Sequence, residues 1–206
     1  GFGGDYMESA GLDLVVHYRD LAFMGFIEVA RNLKTISRKL KQCKNDITAF
    51  RPDVVILIDY AGFNLRIAQY AREKGFKVYW YISPKVWAWN QKRAWKLKAV
   101  VDKMFVILPF EKDFFLKFDW NVYYVGNPVL DAAKAHMPAV DFYEKYSFDK
   151  SKPLVALLPG SRKQEVVRII QLMAEVVQKH PNYQFATAIV SNLDKALYNP
   201  LQSFKN

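Results

Sequence analysis

The sequence predicts an α/β protein in which parallel strands alternate with helices. Short runs rich in β-branched and aromatic residues recur between helix-length segments, which is the pattern of strands joined by helical crossovers. Hydrophobic residues make up 51% and charged residues 24% of the 206 residues, as is typical of a globular protein. The predicted strands are residues 53–58, 77–82, 103–108, 121–126, 153–158 and 184–190, and the predicted helices are residues 23–49, 65–74, 90–100, 110–118 and 162–179.

Residues 131–152 interrupt this alternation. They mix polar and aromatic residues and carry Pro138 between two predicted strands, so we predict an inter-domain linker. A first domain then covers residues 1–130, and residues 153–206 begin a second domain with only two strands. The chain opens on "GFGGDYMES", whose glycines indicate the exit of a strand that precedes the chain, so we expect a fragment of a longer protein.

Charge and cysteine content limit the classes of function. The net charge of +10 and the pI near 9.5 indicate an anionic partner, and nucleic acid, phospholipid head groups and sugar phosphates all fit. The single Cys43 and three dispersed histidines argue against a disulfide framework or a zinc site, and they favour a reducing cytoplasm. No apolar run reaches the roughly 18 residues of a membrane-spanning helix.

Asp59 follows the first predicted strand in "VVILIDYAGFNLR". Ligands of parallel α/β sheets bind beyond the carboxyl ends of the strands, so a carboxylate there is a candidate site residue. It can accept a proton from a substrate hydroxyl, or it can hydrogen-bond nearby backbone N–H groups. For Asn64, a helix N-cap is favoured over a ligand contact.

The turn in "LLPGSRKQE" is a candidate phosphate site. Gly160 permits a tight turn, Ser161 and Gln164 have capping-box spacing, and the following helix directs its first N–H groups at the loop. With Arg162 and Lys163, the turn is either a phosphate cradle or an ordinary capped turn with solvated charges. Neither GxxxxGK[ST] nor GxGxxG is present, so a P-loop and a dinucleotide fingerprint are unsupported.

Four of the five tryptophans lie in "YWYISPKVWAWNQKRAW", residues 79–95. Trp80 belongs to an apolar run and is predicted to be buried in a strand. Trp87 and Trp89 follow a Ser-Pro break and are predicted to lie in a loop next to basic residues. Their rings either stack on a sugar or an acyl chain, or pack as core.

A predicted helix from residue 23 carries an apolar stripe at positions 23, 26, 27, 30, 33, 36 and 40. From Arg31 to Lys44 it has six basic residues and no acidic one. The stripe either packs on the sheet, or Phe23, Phe26 and Ile27 face an anionic membrane. In the second case each nearby Lys or Arg contributes about 1 kcal/mol.

Six motifs together resemble one family. "MGFIEV", "IDYAGFN", "YISPKVWAW", "LPFEKDFF", "GNPVLD" and "LLPGSRKQE" have the order and spacing of the lipid-A-disaccharide synthases, which are inverting glycosyltransferases of the two-domain GT-B architecture. The resemblance implies an acceptor-side Rossmann-like domain at residues 1–130 and the beginning of a donor-nucleotide domain at residues 153–206. It also implies that the chain is incomplete at both ends.

The resemblance implies that the complete protein joins UDP-2,3-diacylglucosamine to 2,3-diacylglucosamine 1-phosphate in lipid A synthesis. Its partners would be the UDP-sugar donor, the acylated sugar-phosphate acceptor and an anionic membrane surface, with no nucleic acid, cofactor or metal. The protein would be cytoplasmic and peripheral on the inner membrane of a Gram-negative bacterium. For residues 1–206 alone, with the donor domain cut short, we expect no transferase activity.

The resemblance also implies roles for individual residues. Asp59 matches the base for the acceptor 6-hydroxyl, and Gly160, Ser161 and Arg162 match the donor-diphosphate contact. The residues assigned to the substrate cleft are Asn64, Ser83, Trp87, Trp89 and Asn127. Many members of the family have Asp where this chain has Gly62 and His where it has Asn127, so the base role falls on Asp59 alone.

Two alternatives remain open at the level of the sequence. One is another GT-B transferase, or a nucleotide-sugar epimerase, with a soluble substrate. The other is a nucleic-acid-binding module, which the charge of +10 and the interleaved aromatic residues also fit. Tight nucleic-acid binding with a steep salt dependence would favour the module, and affinity for anionic vesicles would favour the synthase.

Overall fold

A computed structural model describes residues 1–20 and 33–202. The chain divides into two compact units, Gly1–Ala135 and His136–Asn206. Each contains parallel β-sheet and α-helices, which is the predicted α/β class. The division falls inside the predicted linker at residues 131–152.

The first unit contains two parallel sheets. Strands β1 and β2 form one, and β3 to β6 form the other in the order β3-β4-β5-β6. The strands are β1 (Phe2–Gly3), β2 (Val16–His17), β3 (Val54–Ile58), β4 (Lys77–Tyr81), β5 (Lys103–Val106) and β6 (Tyr123–Tyr124). The helices are α1 (Asp5–Ser9), α2 (Leu33–Phe50), α3 (Ala61–Glu73), α4 (Val86–Trp89), α5 (Arg93–Val100), α6 (Phe110–Leu116) and α7 (Pro128–Ala135), with a 3₁₀ turn at Tyr18–Asp20.

One face of the four-stranded sheet forms the core of this unit. Side chains alternate across a strand, so β3 buries Val55 and Leu57 while Ile56 is 62% exposed. Helix α3 packs its buried residues against the same core, together with Trp80 at the centre of the sheet. Burial of this apolar face is the main stabilising contribution to the unit.

Several predicted boundaries are wrong for identifiable reasons. The strand predicted over residues 103–108 ends at Val106, because the N–H groups of Ile107 and Leu108 bond to the Glu111 side chain. The opening glycines lie in and around the short strand β1 (Phe2–Gly3), which pairs in parallel with β2. The short helix α1 was not predicted.

Helix α2 is the described part of the basic amphipathic segment. Ile36 and Leu40 of the predicted stripe are buried in the core, so the packing interpretation is correct for them. Cys43 also packs there, and burial raises the pKa of its thiol to about 11, which makes it a poor nucleophile at neutral pH. Phe23, Phe26 and Ile27 lie outside the described residues. Within residues 1–20 and 33–202, no helix has both the length and the apolarity needed to cross a bilayer.

The second unit is built on a β-α-β segment. Strands β7 (Leu154–Leu157) and β8 (Gln184–Thr187) pair in parallel, and helix α9 (Lys163–Lys179) connects them. Smaller elements are α8 (Phe142–Lys145), a 3₁₀ turn (Lys195–Tyr198) and α10 (Asn199–Gln202). Gln184 is buried and bonds to backbone atoms of Asp149 and Lys152, which ties the segment before β7 to β8.

Candidate active site

The carboxyl edge of the four-stranded sheet has an unusual backbone. The last ladder bonds run from the Asp59 N–H to the Tyr81 carbonyl and from the Ile82 N–H to the Phe105 carbonyl, each 3.0 Å. Asp59, Tyr60 and Ile82 then adopt φ values of 45°, 38° and 63°. Non-glycine residues in this left-handed region cost about 1–3 kcal/mol each, and such residues cluster at functional sites. This edge of the sheet is therefore a candidate functional site.

Asp59 presents its carboxylate to solvent at this edge. Its side chain is exposed, and among the described residues no group hydrogen-bonds to the carboxylate. Its backbone is held: the Asn64 amide nitrogen donates to the carbonyls of Asp59 at 2.8 Å and Ile58 at 3.0 Å. The arrangement leaves the carboxylate available to a substrate hydroxyl.

The prediction that Asn64 is a helix N-cap is wrong. Helix α3 begins at Ala61, with Tyr60 in the N-cap position, and its first bond runs from the Asn64 N–H to the Tyr60 carbonyl at 3.0 Å. The helix begins earlier because its first turn follows β3 almost directly. Asn64 instead satisfies two carbonyls that the end of β3 leaves without ladder partners.

Trp87 and Trp89 lie in the short helix α4, so the prediction of a loop is wrong. A single turn forms after Pro84, closed by the Asn90 N–H donating to the Val86 carbonyl at 3.1 Å. Trp80 is fully buried as predicted, and its indole N–H donates to the Ile82 carbonyl at 3.2 Å.

The two indoles of α4 have different environments. Trp87 is half-buried and packs edge-to-face on Phe110, with ring centroids 5.0 Å apart at 87°. Its Nε1 is buried and has no hydrogen-bond partner among the described residues. Trp89 is 71% exposed, and the Arg93 guanidinium lies 5.3 Å from its ring centroid. Trp87 thus anchors α4, while Trp89 and Arg93 display an aromatic face and a cation together.

Ser83 lies beneath this segment rather than on its surface. It is 4% exposed, and its hydroxyl donates to Glu111. Glu111 was not among the predicted site residues; the signal for it is an acidic residue in the first turn of a predicted helix. A small cleft next to Ser83 is lined by Ala61, Leu65, Pro84, Val86, Arg93 and Leu97.

The structure brings together only some of the predicted cleft residues. Asp59 and Ser83 follow the adjacent strands β3 and β4, and Trp87 and Trp89 follow Ser83. Asn127 follows β6, at the far side of the strand order. Its side-chain oxygen accepts from the Val129 N–H at 3.0 Å and so caps the first turn of α7.

In the second unit, the turn between β7 and α9 is closed by an internal carboxylate. The predicted capping box of Ser161 and Gln164 is wrong by one residue, because α9 begins at Lys163 and Arg162 is its N-cap. The Glu165 carboxylate accepts from the N–H groups of Ser161 at 3.1 Å and Arg162 at 3.2 Å, and from the Arg162 guanidinium at 2.8 Å.

Two further features of this turn depend on Glu165. The Arg162 hydrogen bond lowers the pKa of the Glu165 carboxyl below its usual value, so Glu165 is anionic at neutral pH. Gly160 has φ of 107°, and a Cβ there would lie 2.7 Å from a Glu165 oxygen, so only glycine fits. The N–H groups of Ser161 and Arg162, predicted to hold a phosphate, therefore hold a carboxylate in this structure.

Known sequences resemble this chain along almost its whole length. The family model described as lipid-A-disaccharide synthetase matches residues 1–203. The lipid-A-disaccharide synthase of Trichlorobacter lovleyi is 38% identical over 197 residues, which are 94% of this chain and 51% of the relative. That of Syntrophus aciditrophicus is 39% identical over 178 residues, 86% of this chain and 46% of the relative. The chain thus spans about half the length of the curated relatives it matches.

Solved structures with a similar fold include UDP-N-acetylglucosamine 2-epimerases. A putative one from Listeria monocytogenes matches with a TM-score of 0.60 at 12% identity, over 96% of this chain and 53% of that chain. The Neisseria meningitidis enzyme bound to UDP-GlcNAc matches with a TM-score of 0.56 at 13% identity, over 93% and 55%. The likeness confirms the predicted GT-B-like fold class. Because one family model accounts for residues 1–203, the chain belongs to the lipid-A-disaccharide synthetase family.

Proposed function

We propose that the full-length protein is the glycosyltransferase that joins UDP-2,3-diacylglucosamine to 2,3-diacylglucosamine 1-phosphate. The products are the β-1,6-linked tetraacyl disaccharide 1-phosphate and UDP. The observation that carries the proposal is the family match over residues 1–203, together with relatives named for this activity at 34–39% identity.

In this proposal Asp59 is the general base. The acceptor 6-hydroxyl oxygen attacks the anomeric carbon of the donor from the face opposite UDP. Its proton passes to the Asp59 carboxylate, and the electrons of the breaking C–O bond stay with the UDP oxygen. The exposed carboxylate, the held backbone and the positive φ of 45° support this role, because together they aim an ionisable group outward from a strand end.

The turn after β7 is proposed to receive the donor diphosphate. The Arg162 guanidinium and the positive end of the α9 dipole supply positive charge where negative charge develops on UDP, whereas the Ser161 and Arg162 N–H groups are taken up by Glu165. The Arg162 guanidinium bonds to Glu165 through one nitrogen, Nη1, so its other N–H groups can reach a phosphate oxygen.

The acylated acceptor is proposed to meet the surface of α4 and α5. An acylated sugar phosphate presents both hydrocarbon and negative charge, so it needs apolar and cationic side chains at one place. Trp89 and Arg93 offer that combination at 5.3 Å, next to a cleft whose other lining residues are apolar. Ser83 and Trp87 hold this surface through Glu111 and Phe110, and Asn64 and Asn127 are proposed to line the cleft.

The test is product formation by the purified full-length protein. Incubation with both acylated substrates should give one disaccharide phosphate and one UDP per turnover, identified by mass spectrometry. UDP-N-acetylglucosamine alone is the comparison, because the fold likeness to 2-epimerases makes epimerisation the second candidate. An epimerised UDP-sugar without disaccharide would contradict the proposal and favour the epimerase.

We also propose that the protein associates with an anionic membrane surface through Phe23, Phe26 and Ile27. Replacing Phe26 and Ile27 by Ser should release the full-length protein from vesicles of anionic phospholipid, because apolar area no longer enters the bilayer interface. Raising the salt concentration should weaken binding, because the basic residues of α2 contribute electrostatically. Vesicle sedimentation measures both effects.

The matched control replaces Leu172 and Val176, two exposed apolar residues of α9, by Ser. This variant should sediment with vesicles as the wild type does. Circular dichroism checks the fold of both variants, and unfolding of the Phe26/Ile27 variant would mean that these residues are core. A gel-shift assay with RNA and DNA completes the experiment, since tight binding there would favour the nucleic-acid alternative.

A further inference from the structure

Glu111 is a buried carboxylate that the proposed chemistry does not use. It lies in the first turn of α6 and is 2% exposed. One oxygen accepts from the N–H groups of Ile107 at 3.2 Å and Leu108 at 2.9 Å, and the other accepts from the Ser83 hydroxyl. Burial of a carboxylate is costly unless hydrogen bonds replace the lost water, and these three donors supply them.

The three donors belong to two separate loops. Ser83 follows β4, whereas Ile107 and Leu108 follow β5. The parallel ladder between these strands ends with the bond from the Ile82 N–H to the Phe105 carbonyl. Past the end of the ladder, the hydrogen bonds of Glu111 join the loop after β4 to the loop after β5 and so fix the position of Ser83.

The same turn of α6 also holds α4. Phe110, the neighbour of Glu111, packs edge-to-face on Trp87 with ring centroids 5.0 Å apart. The segment from Ser83 to Trp87 is thus fixed at its start by a hydrogen bond and at its end by a ring contact. Trp89 and Arg93 follow this fixed segment directly in the sequence, so its position determines where their side chains begin.

We infer that Glu111 is a positioning residue for the acylated acceptor, acting through Ser83 and α4 on the placement of Trp89 and Arg93. The inference rests on the proposed function. Glu111 itself is too buried to touch substrate. A glutamine has nearly the same size: its amide oxygen can accept from both backbone N–H groups while its NH₂ group donates to the Ser83 oxygen, but these bonds lack the charge that strengthens those of a carboxylate. Glutamine therefore weakens the connection between the loops.

The experiment compares Glu111→Gln with the wild type in the full-length enzyme. We expect kcat/KM for the acceptor to fall about 10-fold, because the weakened connection lets the binding groups shift, and a displacement of about 1 Å can cost about 100-fold. The KM for the UDP-sugar should stay within about two-fold. Ser83→Ala removes the hydrogen bond that joins Glu111 to the loop after β4, so it should give a fall of the same kind that is at least as large. Glu144→Gln is the control, since Glu144 is an exposed carboxylate on α8 and should leave both substrates unaffected.

A double-variant test separates positioning from general structural damage. The double variant carries both Glu111→Gln and Trp89→Ala. If Glu111 acts through α4, kcat/KM of the double variant for the acceptor should be no more than about two-fold below that of the worse single variant. An additive loss, an equal loss for both substrates, or a Trp89→Ala variant with wild-type acceptor kinetics would each overturn the inference.

Folding of Glu111→Gln is checked by cooperative thermal unfolding. If that variant does not fold, Ser83→Ala decides: an acceptor-specific fall supports the inference, and unchanged acceptor kinetics overturns it. The two proposals fail differently. A wild type without transferase activity would overturn the proposed function and this inference with it. An active wild type with unaffected Glu111 and Ser83 variants would overturn this inference alone.

Discussion

Replacing Asp59 by Asn in the full-length protein is expected to lower kcat by roughly 10²- to 10⁴-fold, with little change in KM for either substrate. Asparagine has the shape of aspartate but cannot take up the acceptor proton. It also tolerates the left-handed backbone at φ of 45°, so the loop should keep its conformation. The fall in kcat would therefore come from the proton-transfer step and not from a change in the loop.

Steady-state kinetics with both substrates varied would measure this effect. Asp53→Asn is the matched control, because Asp53 is an exposed carboxylate at the other end of the same strand, β3. That variant should have wild-type kcat. Wild-type kcat in Asp59→Asn would contradict the base assignment and leave Asp59 with a structural role.

Replacing Arg162 by Ala is expected to lower kcat/KM for the UDP-sugar by about 10²- to 10³-fold. The physical reason is the loss of a preorganised cation where charge builds on departing UDP, an effect of that order for single oxyanion donors. Lysine should restore only part of the activity, because it keeps the charge but not the planar fork that can bond to Glu165 and a phosphate together.

The control for Arg162 is Arg168→Ala on the same helix, since Arg168 is also exposed but lies beyond the first turn. Both variants should unfold at similar temperatures, because the Glu165 carboxylate still accepts from the Ser161 and Arg162 N–H groups when the Arg162 side chain is lost. Unchanged kcat/KM in Arg162→Ala would identify the turn as a helix cap without a role in donor binding.

Most of the fold can be predicted from the sequence because its strands are short apolar runs bounded by turn residues. Trp80 illustrates this: its neighbours in "KVYWYI" alternate as a strand does, and the structure buries it in the middle of the sheet. The position of Asp59 follows from the same logic, since a polar residue directly after such a run must lie at the carboxyl edge. The sequence pattern around each residue was sufficient to predict the burial of Trp80 and the position of Asp59 at the sheet edge.

The remaining details depend on contacts that are distant in sequence. The hydrogen bond between Ser83 and Glu111 joins residues 28 positions apart, and it turns a predicted cleft residue into a buried support. Helix α4 is one turn long, below the length at which periodicity distinguishes helix from loop. The capping box was misplaced by one residue because Ser161 matches the preferred N-cap type, whereas the helix begins after Arg162.

Asp59, Tyr60 and Ile82 at the sheet edge have a left-handed backbone that glycine adopts at lower cost, so stability favours glycine there while function can require the side chain. Glycine would relieve the steric cost at positions 59, 60 and 82, most of all at Ile82, whose β-branched side chain suits that backbone least. Directed evolution for heat resistance alone would thus enrich glycine at this edge. Directed evolution for product formation would enrich it only where the side chain is dispensable. The difference between the two populations would rank the three side chains by their use in the reaction.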